Sequence, residues 1–369
     1  CRSLLKELND EHNEALDEQL NDLTLQKSSE YLAAIMMLSN IEGISTNRKA
    51  ARKNFPSIHE LDGDLFCMRV ASRRRLFLPL ENERIAPRHR KIAEYLTAKY
   101  LARRIREGLS LRRLMTLLTG FDGKTAPDLR GVYAWLVTLL AGSAEKVIHH
   151  DPYGAIIYGD TYSWTPHTKV VAINELKKLS LLDPWFRQGD YSVKELGGLA
   201  DQSTVSSFIE HITNDDGNSH FLTVLFGALE SSKSINSPEL ELVLIDYVEN
   251  GKNPDHLRED ALQAICGISL NLDETFLSIL QKVDQREIKD DKQYLLGALL
   301  EHLYPTVVTP EKITKYLVEP CSGFIGSYYM LLVYRLVEKT PSSCLKVLAE
   351  SAIEWKEMSK ISKRQFGFL

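Results

Sequence analysis

Cysteine is scarce in this 369-residue chain, and Cys1, Cys67, Cys266, Cys321 and Cys344 form no C-x-x-C pair and no Cys-His spacing fit for zinc. The scatter excludes a disulfide framework and a structural zinc site, and predicts a reducing, cytoplasmic setting. No apolar run approaches the roughly 20 residues needed to cross a bilayer, so no membrane partner is expected. No charged-then-apolar segment at the start suggests export. A G-x-S-x-G elbow for a serine nucleophile is missing. A phosphate-binding loop is incomplete: Gly120–Thr125 reads GFDGKT, but Leu118 stands where such a loop needs glycine, and the preceding LSLRRLMTLLTG is patterned as helix. A helix ending at Gly120, eased by glycine's left-handed conformation, explains those letters. Asp215-Asp216 and Asp290-Asp291 fall in polar, loop-like settings, and His149-His150, adjacent on a helix, are expected to point apart. The chain is therefore read as carrying no catalytic set, no metal site and no cofactor of its own.

What is present is helix. With 44% hydrophobic and 26% charged residues the composition is that of a globular protein, long enough for two or three domains or one extended array. A capping residue directly precedes proline at Asp151, Thr165, Asp183, Ser237, Asn253, Thr309 and Thr340, each pair suited to opening a helix. Asn253–Ile268 carries Leu257, Ala261, Leu262 and Ile265 on one side and resembles the second helix of a HEAT-like repeat, although no fixed period recurs. Asp64–Val70 and Arg75–Leu80 alternate well enough to form a small strand hairpin. The expected fold is mostly α: a short winged-helix-like unit followed by an α-solenoid of stacked helical hairpins. Its parts are a leading acidic helix or linker at 1–30, with leucines at helical spacing; the winged-helix-like unit at 31–106; a linking helical domain at 107–189; and a HEAT-like region at 190–369.

The net charge is −5, yet Arg73, Arg74, Arg75, Arg84, Arg88, Arg90, Lys91, Lys99, Arg103, Arg104, Arg106, Arg112 and Arg113 crowd one stretch. Such asymmetry fits a nucleic-acid footprint, a face that docks another domain, or a solvated helix surface. Within it lies RIAPRHRKIAEYLTAKYL, Arg84–Leu101. Pro87 and Arg88 are expected to open a helix there, with Ile92, Tyr95, Leu96 and Tyr100 as its apolar face. His89 then falls in the first turn, where free backbone N–H groups favour an anion such as phosphate. Glu94 has a plain partner in Arg90 or Lys91, one turn earlier.

H-R-K-I-A-E-Y-L-T-A resembles the signature H-x-x-[FI]-x-E-[YF]-x-A-A near the winged-helix end of NACHT proteins, signal-transduction ATPases that include bacterial defence proteins. Pro87, Ala93 and Thr97 depart from the family's usual residues. LRGVYAWL (Leu129–Leu136) and DPYGAIIYGD (Asp151–Asp160) resemble the region that follows this helix in large bacterial members, although Asp151 is most simply an N-cap and Gly159-Asp160 a turn. The resemblance spans about residues 84 to 180. It implies that His89, with Arg88, senses the β-phosphate of ADP, and that Glu94, Tyr95 and Ala98 hold the motif helix. It further implies a nucleotide-binding domain upstream in cis, ADP or ATP as ligand of the parent protein, a macromolecular ligand on the helical region, and oligomerisation on activation. The chain starts at Cys1 in what reads as mid-helix, so a fragment of a longer protein is expected. The alternative is a non-enzymatic scaffold that binds nucleic acid or protein through segment 73–113.

Overall fold

The structure, a computed structural model, describes residues 21–187, 194–214, 217–232, 235–350 and 353. Residues 1–20, most of the leading acidic segment, and Asp215-Asp216 lie outside the described residues. What is described is mostly helical with a small three-stranded sheet. No described helix is long and apolar enough to cross a membrane. The chain divides into two compact units, Cys1–Leu179 and Ser180–Leu369.

In the first unit, helix α1 (Asp22–Leu38) begins where the Asn21 side chain accepts from the Thr24 N–H at 2.8 Å. Strand β1 (Ile44–Ser45), helix α2 (Leu65–Ser72), the hairpin β2 (Phe77–Leu80) and β3 (Arg84–Pro87), and helix α3 (Arg90–Arg106) follow. The sheet order is β1-β3-β2 with both pairings antiparallel, Ile44 opposite Ile85 and Phe77 opposite Pro87. Between β2 and β3 the chain turns through Asn82 and Glu83 at φ 58° and 54°, left-handed values that asparagine tolerates well. Gly43 admits the sheet to close contact, because a Cβ there would stand 2.1 Å from the Ile85 carbonyl oxygen.

Two expectations are corrected here. Asp64–Val70 is helix, not strand. The Asp64 carboxylate accepts from the N–H groups of Phe66 and Cys67 at 2.9 and 3.1 Å, and Cys67, Met68, Val70 and Ala71 are buried at helical, not alternate, spacing. The hairpin does exist, but it pairs Phe77–Leu80 with Arg84–Pro87. Pro87 and Arg88 therefore do not open α3. Pro87 ends β3, the Arg88 N–H prolongs the ladder to the Leu76 carbonyl at 3.0 Å, and the helix begins at Arg90.

Helix α3 is buried on two sides. Leu96, with partly buried Ile92 and Tyr95, joins a core containing Leu32, Met36, Ile44, Met68 and Phe77. Ala98, Leu101 and Ala102 join another, with Leu114, Leu118, Val132 and Leu136. The expected face of Ile92, Tyr95, Leu96 and Tyr100 is thus only half the story, and small residues fill the second contact. Those partners come from α4 (Leu111–Leu118) and α5 (Arg130–Leu139). Helix α4 ends at Leu118, not Gly120. The turn beyond it is closed by its own carbonyls, Gly120 N–H to Lys124 O at 2.9 Å and Gly123 N–H to Gly120 O at 3.0 Å. The left-handed glycine is Gly123, at φ 75°. Helices α6 (Pro152–Tyr158) and α7 (Pro166–Leu182) complete this stretch.

In the second unit, α8 (Val205–Thr213), α9 (Ser219–Glu230), α10 (Pro238–Glu249), α11 (Asp255–Cys266), α12 (Leu272–Asp284) and α13 (Tyr294–Leu303) follow one another. Helix α11 packs against α9, α10 and α13, while α10 also packs on α8 and α12 on α13. Leu257, Ala261, Leu262 and Ile265 are buried together, as expected. Close approach needs glycine: a Cβ on Gly267 would lie 2.0 Å from the Leu229 carbonyl oxygen. Arg258, buried, spends its guanidinium on backbone, donating to the carbonyls of Val248 and Lys289 at 2.7 Å each. In this way it satisfies a carbonyl that the end of α10 leaves without a helical partner.

The seven capping pairs divide. Asp151, Thr165 and Ser237 accept from N–H groups of helices that begin at the next residue, a proline. Asp183-Pro184 makes a turn, Asn253-Pro254 precedes α11 without a side-chain cap, and Thr309-Pro310 and Thr340-Pro341 lead into short 3-10 turns.

Candidate functional site

At the mouth of α3, His89 is the N-cap residue, in extended conformation, and its carbonyl accepts from the Ile92 and Ala93 N–H groups at 3.1 and 3.2 Å. Its ring makes no capping bond and is exposed. Arg88 and Lys91 flank it, exposed and without acidic partners among the described residues. The place is cationic and wet, open to an anion arriving from outside.

The rest of the motif is packing. Glu94 is buried and accepts from Arg90 Nε at 2.9 Å, while Arg90 Nη2 reaches the Asp128 carbonyl at 2.8 Å. The paired Glu94 holds the Arg90 guanidinium above its ordinary pKa. Gly131 on α5 makes room for this carboxylate, since a Cβ there would stand 2.2 Å from Glu94 Cδ. One turn on, the Tyr95 ring meets the Trp135 ring edge-to-face at 5.1 Å, and Ala98 is fully buried. The segments 84–101 and 129–136, singled out separately in the sequence, thus lock together.

The third segment joins them. Arg130 grips Asp151 with two parallel bonds of 2.6 and 3.0 Å, and Asp151 also caps α6 by accepting from the Gly154 N–H at 2.8 Å. Buried Tyr133 donates to the Val147 carbonyl at 2.7 Å and accepts from the Asp151 N–H at 3.3 Å. Burial pushes its phenol far above the usual range. Asp151 as an N-cap is as expected, with the Arg130 clamp added.

The basic segment does not form one surface. Its middle is neutralised by one distant acid and one local one: Lys99 and Arg103 each lie 3.5 Å from buried Glu30 of α1, and Arg103 and Arg104 reach Glu107 at 3.3 and 3.6 Å. Arg84 donates to the Ala50 carbonyl and lies 4.5 Å over the Phe55 ring; Arg74 is half-buried and also engaged. Arg73, Arg75, Arg88, Lys91, Arg106, Arg112 and Arg113 remain exposed and without acidic partners among the described residues. Because α3 runs from Arg90 to Arg106, Lys91 and Arg106 stand about 22 Å apart along it.

The remaining candidates resolve simply. His149 and His150 do not point apart: in a 3-10 turn their rings sit 4.1 Å from each other, and His150 Nδ1 lies 2.9 Å from the Gly123 carbonyl oxygen. Among the described residues no group of three or more metal-ligating side chains gathers. Sequence reasoning passed over Arg48 and Arg69, which stand beside His59; partial desolvation and then their two charges lower its pKa. Comparison with protein-family models, with curated proteins and with solved structures finds no match for the chain.

Proposed function

We propose that this chain is the regulatory and sensor region of a nucleotide-dependent signalling switch of NACHT-like type, a bacterial defence protein on the strength of the motif resemblance. Its nucleotide-binding domain lies elsewhere in the parent protein. The observation that carries this reading is the helix mouth at His89: an exposed imidazole, unused for capping, beside Arg88 and Lys91 and the unbonded end of a 17-residue helix. His89 would donate to the β-phosphate of bound ADP, assisted by Arg88, and so hold the closed state.

Two features of the fold support the reading. The order helix, strand, two short 3-10 turns, helix and two-stranded hairpin, with sheet order β1-β3-β2, agrees with the expectation of a winged-helix-like unit. In the second unit, α11 packs on α9, two before it, and on α13, two after it, as stacked helical hairpins do. Such a stack offers a long face to a macromolecular ligand, whose binding would strain the closed form. The parent would then exchange ADP for ATP and oligomerise in the cytoplasm.

The test is the parent protein carrying His89→Ala. Raised signalling and self-association without ligand are expected; a variant as silent as the parent sinks the histidine's role. A second reading, a scaffold that binds nucleic acid through segment 73–113, draws on the seven exposed cations without acidic partners among the described residues. Titration of duplex and single-stranded DNA or RNA with salt decides it, since absence of binding at low salt excludes it.

A further inference from the structure

Between the last turn of α2 and the β2–β3 hairpin lies a cleft of about 560 Å³, within the size range of small-molecule sites. Arg69 from α2, Arg73 at its C-cap and Arg84 from β3 line it, together with Phe77, Pro79 and Leu80 of β2. Arg73 is exposed and has no acidic partner among the described residues. The Arg69 guanidinium meets an imidazole nitrogen, His59 Nε2 at 3.3 Å, rather than a carboxylate. Arg84 is anchored without being neutralised: Nη2 donates to the Ala50 carbonyl at 3.2 Å and the guanidinium lies over the Phe55 ring. Among the lining residues the one acid is Glu83, at the rim, whose Oε1 accepts from Asn47 Nδ2 at 3.2 Å. The exposed guanidiniums of Arg69 and Arg73, in a cleft whose wall also includes the anchored Arg84, repel one another, and an anion with several oxygens relieves that repulsion.

We propose that this cleft binds a small phosphate ester of about nucleotide size, its phosphate between Arg69 and Arg73 with Arg84 in the wall, and its planar or apolar body against the exposed Pro79 and Leu80. A single carboxylate would occupy one arginine fork and leave the others unmatched, whereas phosphate presents three or more acceptors. His59 is held below its ordinary pKa first by desolvation and then by the charges of Arg48 and Arg69. A long phosphodiester fits less well. Exposed Glu81 and Glu83 at the hairpin tip and Glu60, Asp62 and Asp64 ahead of α2 would meet its backbone with like charge. The site is independent of the switch reading, because neither Arg88 nor His89 lines the cleft.

Fluorescence titration of the purified chain with a methylanthraniloyl derivative of ATP, competed by ATP, AMP and pyrophosphate, tests the assignment. Saturable binding is expected, weakened at least tenfold by Arg73→Ala, further by Arg69→Ala with Arg73→Ala, and unchanged by His89→Ala. Arg69 and Arg73 are exposed, so these variants keep the parent melt, and Arg73→Lys retains part of the affinity. Leu80→Ala should weaken AMP but leave pyrophosphate as it was. No saturable binding at low salt, binding indifferent to both arginines, pyrophosphate binding without nucleotide binding, or a preference for a DNA duplex that nucleotides fail to displace would each overturn the proposal.

Discussion

Removing the Asp151 carboxylate should loosen the first unit. The side chain does two things at once: it caps α6 through the Gly154 N–H and takes both arms of Arg130. Loss of an N-cap costs about 1 kcal/mol. Arg130 and Asp151 side chains are 22% and 12% exposed, so their pair falls between a surface bridge, worth under about 1 kcal/mol, and a fully buried one, whose breakage costs about 3–5 kcal/mol. About 2 kcal/mol is a fair middle value, giving about 3 kcal/mol for Asp151→Ala. For a unit of this size that lowers the melting temperature by about 6–12 °C. Asparagine caps as well as aspartate does, so Asp151→Asn should lose only the ion-pair share, about 2 kcal/mol. Thermal unfolding followed by circular dichroism measures both, and a double-mutant cycle with Arg130→Met isolates the pair. An Asp151→Ala melt within about 2 °C of the parent refutes the reasoning.

Three further outcomes follow from the second unit. Gly297→Ala should destabilise by about 2 kcal/mol, because the new Cβ would lie 2.1 Å from the Tyr328 backbone nitrogen and helix propensity returns at most about 1 kcal/mol; urea unfolding reads it. Arg258→Leu should cost about 2–4 kcal/mol by leaving the Val248 and Lys289 carbonyls without their donor, and an unaltered urea midpoint would contradict that role. Burial raises the Asp260 carboxyl above its ordinary value, against the opposing hydrogen bond from Thr223, and burial likewise raises Glu230 and Glu259. The folded state therefore favours the protonated acid. Its contribution is full below the ordinary carboxylate range and lost as pH rises through the raised folded pKa. Asp260→Asn should accordingly melt above the parent at pH 7.5, the gap closing toward pH 4; a gap constant with pH contradicts this.

What the sequence could and could not disclose follows from which interactions are local. Helix α3 is legible because its alanines and i, i+4 pair Arg90–Glu94 lie within one stretch, although its start, which no side chain caps, is not. Its second buried side is not, since that depends on α5. Asp64–Val70 misleads because LFCMRV is apolar at both parities, so alternation cannot be told from a helix buried on most sides. Pro87 misleads because its fixed φ suits a strand end as well as a helix start. The charge of segment 73–113 is overestimated because Glu30, which neutralises Lys99 and Arg103, is about 70 residues distant in the chain. The arginine cleft is invisible for the converse reason: a helix end and a hairpin bring Arg69, Arg73 and Arg84 together, and nothing in their spacing announces it.

The switch reading stands on His89, and the rate at which ADP leaves the parent protein tests it most directly. A charge-assisted bond to the β-phosphate contributes about 1.5–3 kcal/mol, so His89→Ala should speed ADP release by about 10- to 150-fold. Arg88→Ala should speed it less. An ADP dissociation rate unchanged by His89→Ala would contradict the account.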